Sequence, residues 1–542
     1  MPSLNFKGKA LVQNFQLLVP YHELKPVKSK SLTPKVSLHD NLIVHGDNLK
    51  ALKSLLPYYH GKVKCIYIDP PYNTGNENWV YNDNVSSPMI QEWLGKVVDR
   101  EDLTRHDKWL CMMMPRLKLL REFLTEDGAI FISIDDNEMY RLRSLMDEVF
   151  GEENFVATIV WHKMDSPKNT AQHLSEDHEY LLLYANRKEL WRPNLLPRTE
   201  AMIERYKNPD NDPRGPWLLS DLAARNFYAQ GRYSIKTPQG RTIGGPPAGS
   251  YWRISREKFD DFVQDNRIWW GESGDNRPGI KRFLSEVRQG VVPQTLWSWK
   301  DVGSTRNSKQ ELSEILQAKA NEDLFITPKP SKLINRVLQI ASDKDSIVLD
   351  CFAGSGTTAQ AVLATNKSDG GTRRFVLIED TDLADTLTAE RVRNVINGVP
   401  EARDEKLQKG FGGSFSFVEI GHPMRLETML KAEKLPSFKD LAGYIFYTAT
   451  GEDFDSRQVH RKTGFIGESA KYDVYLLYEP SLEYLKNTAL TLDFARNLPK
   501  GSGKKRLVFA PTKYLDSIHL DEHRIEFCQL PFEIYKAAKR NP

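Results

Sequence analysis

Apolar residues in this chain fall into short unbroken runs, separated by stretches with the three-to-four-residue spacing of one-sided helices. Val63-Lys64-Cys65-Ile66-Tyr67-Ile68, Ala129-Ile130-Phe131-Ile132-Ser133-Ile134, Ser346-Ile347-Val348-Leu349 and Arg374-Phe375-Val376-Leu377-Ile378 predict buried strands. Lys108 to Glu126, with a kink at Pro115, Asn137 to Phe150 and Thr357 to Ala364 predict helices, and Leu42 to Leu56 reads as strand, acidic turn and helix. Buried strands alternating with helices, without hairpin signals, predict an α/β fold built on a doubly wound parallel sheet.

Beyond about Ala402 the pattern changes. Phe415-Ser416-Phe417-Val418, Tyr444-Ile445-Phe446-Tyr447, Tyr472 to Tyr478 and Arg506 to Ala510 predict strands of a smaller α/β domain without a catalytic constellation. Gly501-Ser502-Gly503-Lys504-Lys505 lacks the Gly-x4-Gly-Lys-Ser/Thr spacing of a phosphate loop and predicts a plain turn. Residues 1 to about 35 place Lys25, Lys28, Lys30 and Lys35 among scattered prolines and predict a loose basic arm.

With 542 residues, 40% hydrophobic and 27% charged, the chain has the composition of a soluble globular protein of several domains. It contains no apolar stretch near the length of a membrane span and no signal-peptide core at its start. Cys65, Cys111, Cys351 and Cys528 are too far apart for a disulfide framework or a zinc site, which leads to the expectation of a reducing cytoplasm. His173, His178 and Glu179 match no zinc motif, and no metal is expected.

The net charge of +3 hides an uneven distribution. Between Trp191 and Lys300, 13 Arg and 5 Lys face 7 Asp and 5 Glu, so this window carries +6 and the rest of the chain −3. Seven of the eleven tryptophans lie there: Trp191, Trp217, Trp252, Trp269, Trp270, Trp297 and Trp299. Arginines beside aromatics, as in Arg232-Tyr233, Tyr251-Trp252-Arg253 and Arg225-Asn226-Phe227-Tyr228, suit phosphate contact and base stacking. The window therefore predicts a DNA-contacting, loop-rich insertion.

The chemistry concentrates in two turns. Asp69-Pro70-Pro71-Tyr72 follows the Val63–Ile68 run, and two prolines make a stiff turn that no helix absorbs. Asp69 and the Pro70 carbonyl can each accept one N–H of an exocyclic amino group, which keeps the nitrogen lone pair out of the ring, while Tyr72 stacks on the base. Such stacking contributes roughly 1–3 kcal/mol and offsets much of the cost of flipping a nucleotide out of a duplex. The second turn, Asp350-Cys351-Phe352-Ala353-Gly354-Ser355-Gly356, joins a buried strand to the helix at Thr357, the arrangement of a nucleoside site. Glu379, about twenty residues beyond the loop, stands where an acid bonds ribose hydroxyls. Gly354-x-Gly356-x-x-Ala359 also fits a dinucleotide fingerprint, so a nicotinamide or flavin cofactor stays open on the loop alone. Asp350 and the proline turn favour S-adenosylmethionine, whose methionine ammonium a carboxylate can pair, whereas it would repel a pyrophosphate.

Taken together, these motifs resemble the β-group amino-methyltransferases acting on DNA, in which the catalytic motif precedes the cofactor loop. The resemblance runs from about Leu42 to Asp380 and is greatest to modification subunits of type III restriction systems. Ile66 to Gly75 matches the catalytic motif without a gap; Asp350 to Thr358 matches the cofactor loop, with Cys351 where proline is common. Thr327-Pro328-Lys329-Pro330-Ser331 resembles the segment closing over the methionine end, and Gly46-Asp47-Asn48-Leu49 the one placing an acid near the cofactor adenine.

The resemblance implies a circularly permuted Rossmann-like methyltransferase fold that acts on double-stranded DNA. It divides the chain into a basic arm (1–37), a catalytic half (38–190), a target-recognition insertion (191–300), a cofactor half (301–400) and a C-terminal α/β domain (401–542). Its site would comprise Asp69, Pro70, Pro71 and Tyr72 at the base, with Asp47, Lys329, Asp350, Phe352, Gly354, Ser355, Gly356, Thr357 and Glu379 holding S-adenosylmethionine. A restriction (nuclease–translocase) partner and a homodimer follow from the same resemblance. The implied product is adenine methylated at its 6-amino nitrogen; the 4-amino nitrogen of cytosine, and a specificity subunit that recruits a nuclease, are the alternatives.

Overall fold

The computed structural model gathers the apolar runs into one ten-stranded sheet. It describes residues 4–74, 104–317 except 168, 327–423, 435–499 except 451 and 453, and 503–530. Gly75, Gly501 and Ser502 lie outside the described residues. The chain divides into two compact units, Met1–Asn194 with Gln294–Pro542, and Leu195–Pro293. No helix among the described residues is long and apolar enough to cross a membrane.

In chain order the first unit's large sheet comprises β1 (His22–Pro26), β2 (Leu42–His45), β3 (Val63–Ile68), β4 (Leu124–Ile134), β5 (Phe155–His162), β6 (His178–Ala185), β7 (Leu296–Ser298), β8 (Ile347–Asp350), β9 (Arg374–Glu379) and β10 (Ser416–Pro423). They lie in the order β1-β10-β2-β9-β8-β3-β4-β6-β5-β7. Helices α1 (Asn48–Tyr59), α2 (Arg105–Phe123), α3 (Met139–Phe150), α4 (Thr305–Leu316), α5 (Ser331–Ala341), α6 (Thr357–Asp369) and α7 (Glu390–Asn397) connect them.

β8 pairs in parallel with β3, Leu349 opposite Ile66, and on its other side with β9, Leu349 opposite Val376. The turns after β3 and β8 therefore leave the same end of the sheet side by side, where ligands of open α/β sheets bind. From β10 to β4 the sheet is parallel, as expected of a doubly wound fold, and its flanks are mixed: β6 runs antiparallel to β4 and β5, and β1 to β10. β5 is only half buried over most of its length, and an antiparallel strand tolerates that exposure better than a parallel one.

The N-terminal segment is not a loose arm over its described length. Phe6, Val12 and Val19 enter the core, and β1 pairs with β10, so apolar anchoring outweighs the surrounding lysines. β10 itself lies beside β2, Ser416 opposite Leu42, so the large sheet continues past residue 400. Tyr444–Tyr447, expected as a strand, belongs instead to the helix α8 (Phe438–Thr450). Its buried positions Phe438, Leu441, Ala442, Ile445 and Phe446 have helical spacing, which outweighs the strand propensity of four residues. A second sheet follows, β11 (Phe465–Glu468), β12 (Tyr472–Leu476), β13 (Lys505–Ala510) and β14 (Ile525–Gln529), over a core that includes Tyr475, Leu490, Val508 and Ala510.

The second unit is built from short pieces. Ile268–Trp269, Gly279–Phe283 and Trp217–Asp221 form a three-stranded antiparallel sheet, and Arg256–Gln264 a helix, around Leu222, Ile235, Trp252, Phe259 and Ile280. The tryptophans of the basic window do not form an exposed stacking face: Trp191, Trp217, Trp252 and Trp297 are buried, and Trp269, Trp270 and Trp299 half buried. Trp217, Trp252, Trp269 and Trp270 belong to this second unit, where large aromatic rings are the main source of buried area; Trp191, Trp297 and Trp299 belong to the first.

Candidate active site

β3 ends at Ile68, and the Asp69–Tyr72 turn that follows is pinned from two helices. From α2, the indole N–H of Trp109 donates to the Pro71 carbonyl at 2.6 Å. Asn73, at φ 58°, donates through its side-chain amide to buried Glu138, which also holds the His106 ring. A left-handed asparagine fixed in this way sets the direction of the Asp69–Tyr72 turn. Among the described residues, nothing donates to the Pro70 carbonyl.

Asp69 has 23% of its side chain exposed, and both its oxygens are taken by one ammonium: Lys329 Nζ lies 2.8 Å from Oδ1 and 2.7 Å from Oδ2. The same Nζ is 3.6 Å from Glu179 Oε2 and 5.0 Å from the centre of the Tyr72 ring. Tyr72 donates its hydroxyl to Glu179 Oε2 at 3.0 Å, and Lys163 pairs with Glu179 Oε1 at 2.9 Å. Two carboxylates and two ammonium groups thus form one cluster at the proline turn. Burial pushes the Asp69 carboxyl up, with Lys329 opposing it. At Glu179 burial also pushes upward, but Lys329 and Lys163 together outweigh it and hold the carboxyl below its usual range.

The glycine loop is equally constrained. Gly354 (φ 50°) and Gly356 (φ 78°) adopt the left-handed conformation that opens the backbone toward a ligand, and a Cβ on Gly356 would meet Thr388 at 3.2 Å. Asp350 is buried; it accepts from the Thr358 hydroxyl at 2.6 Å and the Phe352 N–H at 3.1 Å. No cation pairs with it among the described residues, and burial pushes its carboxyl up to about 7. Glu379 accepts from Gly354 N–H at 2.8 Å and from the Thr381 hydroxyl at 2.8 Å, which ties β9 to the loop. Asp47 caps α1 through Lys50 N–H at 3.0 Å and lies 3.7 Å from Arg116. Arg116 Nε donates to Asn48, which in turn donates to the Cys351 carbonyl, so the Gly46–Leu49 segment is joined to the loop.

Lys329, expected to hold the cofactor, touches both turns. Its carbonyl accepts from Thr357 on the glycine loop at 3.2 Å, while its ammonium lies on Asp69. Ser355 and Thr357 have their hydroxyls engaged by Arg391 NH1, 2.8 Å from each, so they shape the loop from beneath. Fully buried Arg391 also donates to Gln360 at 2.9 Å and lies 3.8 Å from Glu311. Burial pulls its guanidinium down to about 10. Replacing Arg391 with Met is expected to cost about 2 kcal/mol of stability, because hydrogen bonds to a buried charge are lost and their partners left unpaired; urea unfolding of the two proteins measures it.

Sequence reasoning passed over Glu179 as part of a metal set and had no reading of Arg391. A carboxylate at the start of the apolar run Tyr180–Ala185 was a usable signal for the first; Arg391 looks like any charged helical residue. Among the described residues no group of three His, Cys, Asp or Glu could hold a metal ion.

A proline turn bearing a carboxylate beside a glycine loop is the arrangement that the resemblance to amino-methyltransferases leads one to expect. The family model described as DNA methylase matches residues 63–382, more than half of the chain. Over 390 residues the chain is 34% identical to the type III restriction-modification enzyme StyLTI Mod subunit of Salmonella typhimurium, covering 70% of this chain and 58% of that protein. The EcoPI Mod subunit of Escherichia phage P1 is 32% identical over 424 residues, 70% of this chain and 64% of that protein. The type II methyltransferase M1.MboII of Moraxella bovis is 46% identical over 300 residues, 55% of this chain and 78% of that protein. This chain belongs to the N6/N4 DNA methylase family. It spans 58–64% of the length of the two Mod subunits.

Proposed function

We propose that the chain transfers a methyl group from S-adenosylmethionine to the 6-amino nitrogen of a flipped adenine in double-stranded DNA, as the modification subunit of a type III-like restriction system. The observation that carries this reading is the parallel pairing of β3 with β8, which sets Asp69 and Asp350 at the ends of adjacent strands.

The residues of the loop fit the cofactor. Asp350 is a buried carboxylate with no cation paired to it among the described residues, suited to a methionine ammonium, and the left-handed glycines admit a nucleoside against the backbone. When bound, S-adenosylmethionine would supply an electrophilic methyl through its sulfonium S–C bond and leave as the neutral thioether; the amino nitrogen that takes the methyl gives up one proton to solvent. Asp69 Oδ and the Pro70 carbonyl accept the amino N–H groups, hold the lone pair out of the ring, and oppose the positive charge that grows on nitrogen. Tyr72 walls the base. Positioning and fixed charge supply the rate, without a covalent intermediate.

In the second unit, Phe227 is 78% exposed and meets Tyr251 edge-on at 5.3 Å, with the Arg232 guanidinium 4.8 Å from the Tyr251 ring. Arg225 and Arg253, each two residues along from one of these rings, are exposed as well. An aromatic pair flanked by arginines suits a nucleic-acid contact. Phe227→Ala combined with Arg232→Ala is expected to weaken duplex binding about tenfold without changing cofactor affinity, as read by fluorescence anisotropy at fixed salt.

Expression of the full chain in a methylation-free host, followed by single-molecule sequencing of the genome, tests the function. The expected result is a short motif methylated at the adenine 6-amino group; methylation confined to cytosine would overturn the choice of base.

A further inference from the structure

Lys329 raises a question that the methyl-transfer chemistry does not answer. An ammonium covering both oxygens of Asp69 occupies the positions an incoming amino group needs. It is also the wrong neighbour for a nitrogen gaining positive charge as it is methylated, since like charges repel strongly where water is sparse. Glu179 offers the ammonium a second seat. Its Oε2 is 3.6 Å from Nζ, so a shift of about 1 Å completes a hydrogen bond there.

The backbone of Lys329 stays in place during such a shift: Pro328 and Pro330 flank it, and its carbonyl is held by Thr357. Only the flexible four-carbon stem has to move. Lys163 neutralises the other oxygen of Glu179, and the Tyr72 hydroxyl rests on Oε2, so the acceptor is already ionised and oriented.

We propose that Lys329 is a placeholder in the base site, covering Asp69 until the target amino group displaces it onto Glu179. This rests on the amino-methyltransferase reading above. Lys329 and Glu179 are then positioning residues: one keeps a half-buried carboxylate ionised before the base arrives, and the other removes the cation from the reacting nitrogen. Among the described residues, the groups facing Asp69 are Lys329, Glu179, Tyr72, Tyr67 and Asp350; Lys163 acts through Glu179, and Asp135 lies beyond it.

The test uses the full chain and its Lys329→Met, Lys329→Arg and Glu179→Gln variants. Steady-state methylation of a target duplex is measured across pH, and S-adenosylmethionine affinity by calorimetry. Lys329→Met is expected to move the acid limb of kcat/KM upward by about one pH unit or more, because Asp69 loses the cation that opposes its burial. Lys329→Arg restores the limb. Glu179→Gln is expected to lower kcat about tenfold with little change in KM for DNA or in cofactor affinity. An unmoved acid limb in Lys329→Met together with unchanged kcat in Glu179→Gln overturns the proposal. So does a loss of cofactor affinity of about tenfold in Lys329→Met, which would seat the lysine in the cofactor pocket. A wild-type chain that binds S-adenosylmethionine but methylates no duplex overturns the proposed function itself, and this inference with it.

Discussion

Asp69→Ala is expected to lower methyl transfer by about a thousandfold while leaving S-adenosylmethionine affinity within about twofold. The size of the effect comes from the position of the carboxylate: it follows β3 on a turn pinned by the Trp109 and Asn73 contacts, so once Lys329 has moved off it the acceptor is already aligned as charge develops. The alanine variant also strands Lys329, whose ammonium keeps Glu179 as its carboxylate neighbour. Asp69→Asn separates the two contributions, since it keeps one carbonyl acceptor but removes the charge; it should fall between alanine and wild type. Incorporation of tritiated methyl groups into duplex DNA measures both. Turnover of Asp69→Ala near the wild-type level would remove the base site from this turn.

The second large effect is expected at Asp350. Its carboxyl, at about 7 in the cofactor-free chain, is part-protonated near neutrality, whereas only its anion pairs with an ammonium. Cofactor affinity should therefore rise as pH increases through 7, with uptake of S-adenosylmethionine releasing a proton. Asp350→Asn should weaken binding about a hundredfold and flatten that pH dependence. The same carboxyl carries a stability consequence of defined sign. Folded, it keeps its proton up to about 7; unfolded, it releases it near 3.8. The folded state binds more protons between those values, so the cofactor-free chain loses stability as pH rises through that window. Bound cofactor should restore the loss. Calorimetry from pH 6 to 8 in buffers of different ionisation enthalpy counts the proton, and a pH-independent affinity would show that Asp350 is not the ammonium partner.

Several elements were legible in the chain because their signals are local. The unbroken run Val63–Ile68 ending in two prolines could only be a buried strand stopped by a turn, and it forms β3. The glycines at 354 and 356 sit between a strand and a helix as their spacing indicates, both with positive φ. Where two local signals compete, the linear pattern misleads. Tyr444–Tyr447 has strand propensity, yet the wider spacing of Phe438, Leu441, Ile445 and Phe446 gives the helix its buried face. The tryptophans of the basic window illustrate the same limit: their identity suits both stacking on bases and filling a core, and burial of Trp217 and Trp252 follows from the small size of the unit they support.

By itself, the sequence determined the proline turn, the glycine loop and the strands that carry them, since a turn depends on residues adjacent in the chain. That β3 and β8 are neighbours is what a doubly wound sheet with both turns at its switch point leads one to expect, and the parallel pairing bears it out; tertiary structure alone decided the register, because a parallel pairing carries no local signal of which residues lie opposite each other. It alone decided the partners of Asp69 as well. The TPKP segment marks where the backbone of Lys329 lies, but a four-carbon stem reaches whichever carboxylate packing brings near. In this fold that is Asp69, with Glu179 next to it from β6, a strand no motif connects to the site.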